Sequence, residues 1–248
     1  VRYPRLLVDH NLGDGLNVEL PPDVLRHAVS VLRLRHGAQC LVFDGRGSEH
    51  HATLELAGRR SGVVRLGPVA APPTTPRRPL RLLQGIARGE HMDLAIQKAV
   101  ELGVTEIWPV LTVRSRSGAA HRALESRLRH WEGVMRAASE QCGRNELPAL
   151  APPRELDVAL RDLSGGDVRV LADATGDSPA IWRAEVQVDP GRVITLLVGP
   201  EGGLDTSERE RARSDGFRGL ALGPRVLRTE TAAIAGLTIL QTLYGDLG

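Results

Sequence analysis

The run Val193-Ile194-Thr195-Leu196-Leu197-Val198, opening directly into Gly199-Pro200-Glu201-Gly202-Gly203, constrains this chain more than any other feature. An unbroken apolar and β-branched run of this length reads as a strand, and glycines at its exit let a ligand approach the backbone closely. A second loop, Leu222-Gly223-Pro224-Arg225-Val226-Leu227-Arg228-Thr229-Glu230-Thr231, repeats the construction a short way on. Two such loops predict one composite small-molecule site.

The surrounding pattern alternates. Strand-like Leu80 to Gly85 leads to a helical stretch, Met92 to Leu102, whose Met92, Ala95, Ile96 and Ala99 share one face. Strand-like Glu106 to Leu111 follows, then a helix from His121 to Gln141. Further strands are predicted at Val168 to Ala172, Arg192 to Val198 and Gly219 to Leu222, with helices between them and an apolar helix from Glu230 to Tyr244. This alternation predicts an α/β fold, a mostly parallel sheet covered on both faces, with ligands at the carboxyl ends of its strands.

The first glycine loop is neither GxxxxGK[ST] nor GxGxxG, and Pro200 removes an N–H that a phosphate cradle needs. Asp205-Thr206-Ser207-Glu208 has the spacing of a capping box, so a helix begins there. In the second loop Thr229 is placed to cap the last helix, and Glu230 suits its positive end. Arg225 and Arg228 do not: cations just before a helix start are unfavourable unless an anion compensates them.

Upstream, Pro68, Pro72, Pro73, Pro76 and Pro79 form an extended linker. Before it lie short strand-like runs, Gln39 to Asp44, His51 to Leu56 and Val63 to Leu66, and a helical segment, Val24 to Leu34. They predict a small β-rich barrel or sandwich. The boundaries expected are residues 1–70 for this domain, 71–79 for the linker and 80–248 for the α/β domain. Residues 1–90 carry 13 Arg against 8 acidic residues, whereas residues 91–248 carry 19 basic against 22 acidic ones. Lys98 is the one lysine, a bias that genomic composition explains, so the placement of charge is the better pointer to a polyanionic partner.

Other classes are disfavoured. The N-terminus shows no secretory signal, and the most apolar stretch, Ala232 to Leu240, is far shorter than a membrane span. Cys40 and Cys142 fit neither a disulfide framework nor a CxxC motif, which points to the cytoplasm. The adjacent His50-His51 are expected at the surface or facing RNA, and no His or Cys spacing suggests a metal. Arg114, Arg116, Arg122, Arg127 and Arg129 read as a solvated face, with RNA contact the alternative.

Leu197-Val198-Gly199-Pro200-Glu201-Gly202-Gly203 and Leu222-Gly223-Pro224-Arg225-Val226-Leu227-Arg228-Thr229-Glu230-Thr231-Ala232 closely resemble the ribosomal RNA small subunit methyltransferase E family, of the knotted SPOUT class. Met92 to Gly103 resembles its first helix, Ser139-Glu140-Gln141-Cys142-Gly143-Arg144 its central signature, and His27 to Arg33 with Phe43-Asp44-Gly45 its N-terminal domain. The resemblance implies a PUA-like RNA-binding β-barrel followed by a parallel α/β domain with a C-terminal trefoil knot. It also implies a homodimer that transfers the methyl group of S-adenosylmethionine to N3 of a uridine in 16S ribosomal RNA of the small subunit. By the same resemblance Leu171, Ala172, Gly199, Pro200, Gly202, Gly203, Leu222, Gly223, Arg225, Leu227 and Thr229 hold the cofactor. Arg33, Arg88, Glu140, Gln141 and Arg144 are the expected RNA contacts.

Methyl transfer from a sulfonium is an in-line displacement, so positioning dominates. N3 carries a proton. Arg228 is the candidate that stabilises the uracil anion, and Glu201 or Glu230 the candidate that accepts the proton, with a water or the RNA as alternatives. Methylation of a ribose 2′-hydroxyl, or RNA binding without catalysis, are the competing functions.

Overall fold

Alternating buried and exposed residues along the first strands set one sheet face against a core. The computed structural model of the chain describes residues 3–58, 61–73, 75–115, 121–189 and 191–248, the side chains of residues 121 and 122 excepted. They fall into two units: Val1–Thr75 with Arg136–Leu147, and Pro76–Met135 with Pro148–Gly248.

The first unit contains β1 (Arg5–Leu7), β2 (Asn17–Glu19), α1 (Pro22–Arg26, continued as a π-helical turn over His27–Val31), β3 (Gln39–Phe43), β4 (Glu49–Leu56) and β5 (Gly62–Val69). The strand order is β1-β3-β4-β5-β2, antiparallel except for β1 with β3. The sheet curls into a half-barrel, the PUA-like fold expected. Leu6, Val18, Leu25, Val42, Leu54 and Val64 fill it. Successive residues of a strand face opposite ways. His50 is therefore buried, its Nδ1 2.7 Å from the Gly67 carbonyl, which corrects the expected surface position, while His51 is half-buried.

Residues 136–147 join this unit, a segment the expected boundaries did not separate. Arg5 explains it: Nε donates to Glu49 Oε1 at 2.7 Å, Nη1 to the Ser139 carbonyl at 2.6 Å and Nη2 to the Arg144 carbonyl at 3.0 Å. Phe43 lies 4.3 Å beneath the guanidinium. A buried cation is tolerable only when its donors are used in this way.

The second unit runs β6 (Leu80–Gly85), α2 (Glu90–Glu101), β7 (Glu106–Leu111), α3 (His121–Cys142, whose end lies in the first unit), β8 (Ala149–Leu150), β9 (Arg154–Glu155), α4 (Leu156–Arg161), β10 (Val168–Asp177), α5 (Pro179–Glu185), β11 (Ile194–Val198), α6 (Thr206–Ser214), β12 (Arg218–Leu220) and α7 (Thr229–Tyr244). Its strands are parallel in the order β12-β10-β11-β6-β7-β8, with β9 also on β7. Every residue of β6 and β11 is buried, as central parallel strands require. The α7 helix lies against β11 through Gly236, where a Cβ would meet Leu196 Cδ2 at 2.8 Å. No helix among the described residues is long and apolar enough to cross a membrane.

Candidate active site

Three strand exits meet at the carboxyl edge of the parallel sheet. Leu171, Ala172 and Asp173 lie where β10 ends its pairing with β11, Gly199 to Leu204 leave β11, and Val226 and Leu227 approach from the loop after β12; together they wall a cavity of about 370 Å³. A smaller cavity of about 170 Å³ shares Ala172, Asp173, Ala174, Val226, Leu227 and Ala232 with it and adds Leu222, Gly223 and Arg225. The β10 strand was expected to stop at Ala172. Its pairing with β12 does shift there and resumes only at Asp177, so Asp173 to Thr175 bulge toward the cavity.

Close backbone approach shapes the walls. At Gly85 a Cβ would lie 2.5 Å from Pro200 N and Cδ, and at Gly199 it would lie 2.8 Å from Leu204 N. Gly203 and Gly223 adopt φ of 69° and 100°, where side chains are strained. The expected capping box is present: Asp205 accepts from Glu208 N, and Glu208 Oε2 accepts from Asp205 N. Thr229 departs from expectation. Arg228 is the N-cap, and the Thr229 hydroxyl instead donates to the Gly199 carbonyl at 2.6 Å and accepts from Gln84 Nε2 at 2.8 Å. A hydroxyl facing a neighbouring loop cannot also turn back onto its own helix.

The three candidate catalytic side chains are placed differently. Glu201 lines the larger cavity, and its Oε1 accepts from the Arg88 backbone N–H at 2.7 Å. Glu230 is 5% exposed, 3.1 Å from His91 Nδ1, and its Oε2 is buried without a hydrogen-bond partner among the described residues. Arg228 is exposed; neither it nor Arg225 makes a side-chain hydrogen bond or ion pair among the described residues. Glu230 thus pairs with His91 and not with the neighbouring Arg228.

Arg33, Arg88 and Gln141 are exposed, and Arg33 holds φ 56°. Arg144 is buried at 8% exposure, and Glu140 is half-buried with Oε1 accepting from Leu7 N at 3.1 Å. Burial pushes the Glu140 carboxyl upward, against the opposing influence of Leu7 N–H, His27 and Arg5. These two positions therefore pack within the first unit rather than project from it.

Arg114 was missed. Grouped by sequence with a solvated face, it is exposed but also lines the cavity, and its Nη1 donates to the Gly202 carbonyl. Arg127 and Arg129 are exposed as expected, whereas Arg116 and the Arg122 side chain lie outside the described residues. Asp173, adjacent to the two residues singled out in β10, was also missed; its carboxylate accepts from Thr175 N at 3.0 Å and Arg213 Nη2 at 2.8 Å. Among the described residues no cluster of three His, Cys, Asp or Glu side chains could hold a metal.

A curled β-unit joined to a parallel α/β unit, with two glycine loops around one cavity, defines the class of RNA methyltransferases with a PUA-like domain. Residues 74–241 match the RNA methyltransferase domain family and residues 20–67 the RNA methyltransferase PUA domain family. A methyltransferase from Legionella pneumophila, solved in complex with the bound cofactor S-adenosylmethionine, is 34% identical over 99% of this chain and 100% of that one, with a TM-score of 0.92. The ribosomal RNA small subunit methyltransferase E of Neisseria gonorrhoeae, bound to S-adenosylmethionine, is 31% identical over 100% of both chains, with a TM-score of 0.91. The protein of the same name from Bacillus subtilis is 26% identical over 99% of each chain. The chain belongs to the ribosomal RNA small subunit methyltransferase E family.

Proposed function

We propose that this protein is an S-adenosylmethionine-dependent methyltransferase acting on N3 of a uridine in 16S ribosomal RNA of the small subunit. It works as a homodimer in the cytoplasm, with its C-terminal segment threaded in a trefoil knot. The observation that carries the reading is the cavity at the strand exits, walled by two glycine loops, in a chain that superposes end to end on a relative with that cofactor bound. The fit to the cofactor is physical. About 370 Å³ lies within the usual range for small-molecule sites, ~300–1,000 Å³. The apolar Leu171, Ala172, Leu222 and Leu227 suit a flat base, and the close main-chain approach that the glycines allow suits its polar edge.

Bound there, the cofactor supplies a methyl group on a sulfonium. The chain's own residues have to hold the uracil nitrogen in line behind that methyl and exclude misaligned approaches. N3 lies on the Watson–Crick edge, so the base must be unpaired or flipped out. Arg228, exposed and without an acidic partner among the described residues, stabilises the uracil anion. Glu201 lines the cavity and has one oxygen outside its bond to Arg88, so it is the proposed proton acceptor, while Glu230 is buried against His91. The first unit anchors the RNA, with Arg33 and Gln141 among its exposed contacts and Arg88 contributing from the second unit.

Mass-spectrometric analysis of ribosomal RNA nucleosides tests this after gene deletion and after incubation of the deficient RNA with protein and S-adenosylmethionine. Loss and recovery of N3-methyluridine is expected. A ribose-methylated nucleoside in its place would redirect the chemistry, and no change in any nucleoside would make the protein a non-catalytic RNA binder.

A further inference from the structure

Arg114 belongs to neither glycine loop yet faces the cavity they enclose. Its Nη1 donates to the Gly202 carbonyl, and its stem lies so close that a Cβ on Gly202 would sit 3.1 Å from Arg114 Cδ. That bond uses one of the five guanidinium N–H donors. Among the described residues no carboxylate lies within ion-pair distance of Arg114; Asp205 is near enough only to feel its charge.

The cavity is electrically polarised. Arg114 stands on the side of the β11 loop, whereas Asp173 stands at the β10 exit, its side chain 4% exposed and ion-paired with Arg213. The smaller cavity beyond Asp173 is lined mostly by apolar residues, Ala172, Ala174, Leu222, Leu227 and Ala232, with Arg225 its cation. S-adenosylmethionine carries one anionic group, the α-carboxylate of its methionine end. Asp173 repels it. The start of α6 is no alternative, because Asp205 and Glu208 already seal that helix terminus with their own carboxylates.

We propose that Arg114 is a specificity residue that binds the α-carboxylate of the cofactor while its other edge holds the Gly202 carbonyl, which places the adenine in the apolar cavity past Asp173. A planar guanidinium can serve both acceptors at once, which a lysine ammonium does less well. The proposal rests on the cofactor reading above and adds to it the direction in which the cofactor lies.

Calorimetric titration of the full chain with S-adenosylhomocysteine and with 5′-methylthioadenosine tests it. Both ligands carry adenine, ribose and a thioether; only the first has the amino-acid end. Arg114→Gln should weaken S-adenosylhomocysteine about 10- to 100-fold, the effect of losing a charge-assisted bond, and leave 5′-methylthioadenosine within about 2-fold. Arg114→Lys should recover part of the loss. Equal weakening of both ligands would make Arg114 a brace for Gly202 and overturn the proposal, as would no change in either. Arg209 lines the same cavity and Arg225 the smaller one, so a selective loss in Arg209→Gln or Arg225→Gln rather than Arg114→Gln would overturn it as well. If the unaltered protein binds neither ligand, the cofactor reading itself fails, a result separable from the others.

Discussion

The Thr229 hydroxyl donates to the Gly199 carbonyl at 2.6 Å and accepts from Gln84 Nε2 at 2.8 Å, so one oxygen fastens the first turn of α7 to the exits of β11 and β6. Thr229→Val keeps the shape and removes the hydroxyl, leaving the Gln84 N–H and the Gly199 carbonyl short of a partner. The expected cost is about 1–3 kcal/mol in urea denaturation, together with weaker S-adenosylhomocysteine binding. Thr229→Ser should restore most of both. An unchanged denaturation midpoint in Thr229→Val would show that water replaces the bond.

Gly85 and Gly223 are required for different reasons, and alanine separates them. A Cβ on Gly85 would collide with Pro200 N and Cδ at 2.5 Å, whereas one on Gly223 meets nothing within 4 Å but inherits φ 100°. Gly85→Ala must push the loop after β11 aside, at about 1–3 kcal/mol or more. Gly223→Ala bears backbone strain alone, on the order of 1 kcal/mol. Paired denaturation and ligand titration should show the larger loss of both stability and cofactor affinity in Gly85→Ala.

Arg228 stands at the N-cap of α7, exposed and without an acidic partner among the described residues. If it stabilises the uracil anion, Arg228→Ala should slow single-turnover methylation on the order of 10²-fold at saturating RNA and cofactor, with little change in cofactor affinity. Arg228→Lys should recover part of the rate. A near-normal rate in Arg228→Ala would remove it from catalysis.

Desolvation alone would raise the Asp173 carboxyl, but the Thr175 N–H and hydroxyl and the Arg213 guanidinium outweigh it and hold the group below its ordinary range. A depressed carboxyl adds stability above its unfolded pKa, about 3.9, and loses that contribution as the pH falls through the lower folded value. Asp173→Asn should therefore lower Tm at neutral pH and converge on the parent protein below about pH 4. Parallel melting curves across that interval check it; a gap that stays constant would mean that the charge contributes nothing.

Cys40 is 1% exposed, and burial pushes its thiol up to about 11, while Cys142 is half-buried. The thiolate is the reactive form. Iodoacetamide at mildly alkaline pH should label Cys142 in the native protein and reach Cys40 only after denaturation, as peptide mass mapping would reveal. Early labelling of Cys40 would mean that the half-barrel opens readily.

The α/β architecture was legible because β6 and β11 are nearly continuous apolar runs and α2 keeps its apolar residues on one face. The cavity walls were legible too, because two glycine-bearing loops of the same construction follow strands close together in the sequence. Arg114 was not. Its place depends on the loop after β7 meeting the loop after β11, a contact between residues 88 positions apart that no local pattern encodes. The role of Thr229 escaped for a related reason: a threonine before a helix reads as a cap until a carbonyl 30 positions away competes for its hydroxyl. The short strands β1, β2, β8 and β9 have two or three residues each, too few to display a period.

Residues 136–147 belong by contact to the unit that begins the chain, although most of the sequence between them belongs to the other. The β-rich half is therefore not a detachable module. A nick in the proline-rich segment would leave Arg5 still gripping Ser139 and Arg144, so the pieces would stay associated. A graft that exchanged the N-terminal domain for a foreign one would have to bring its own version of this clasp.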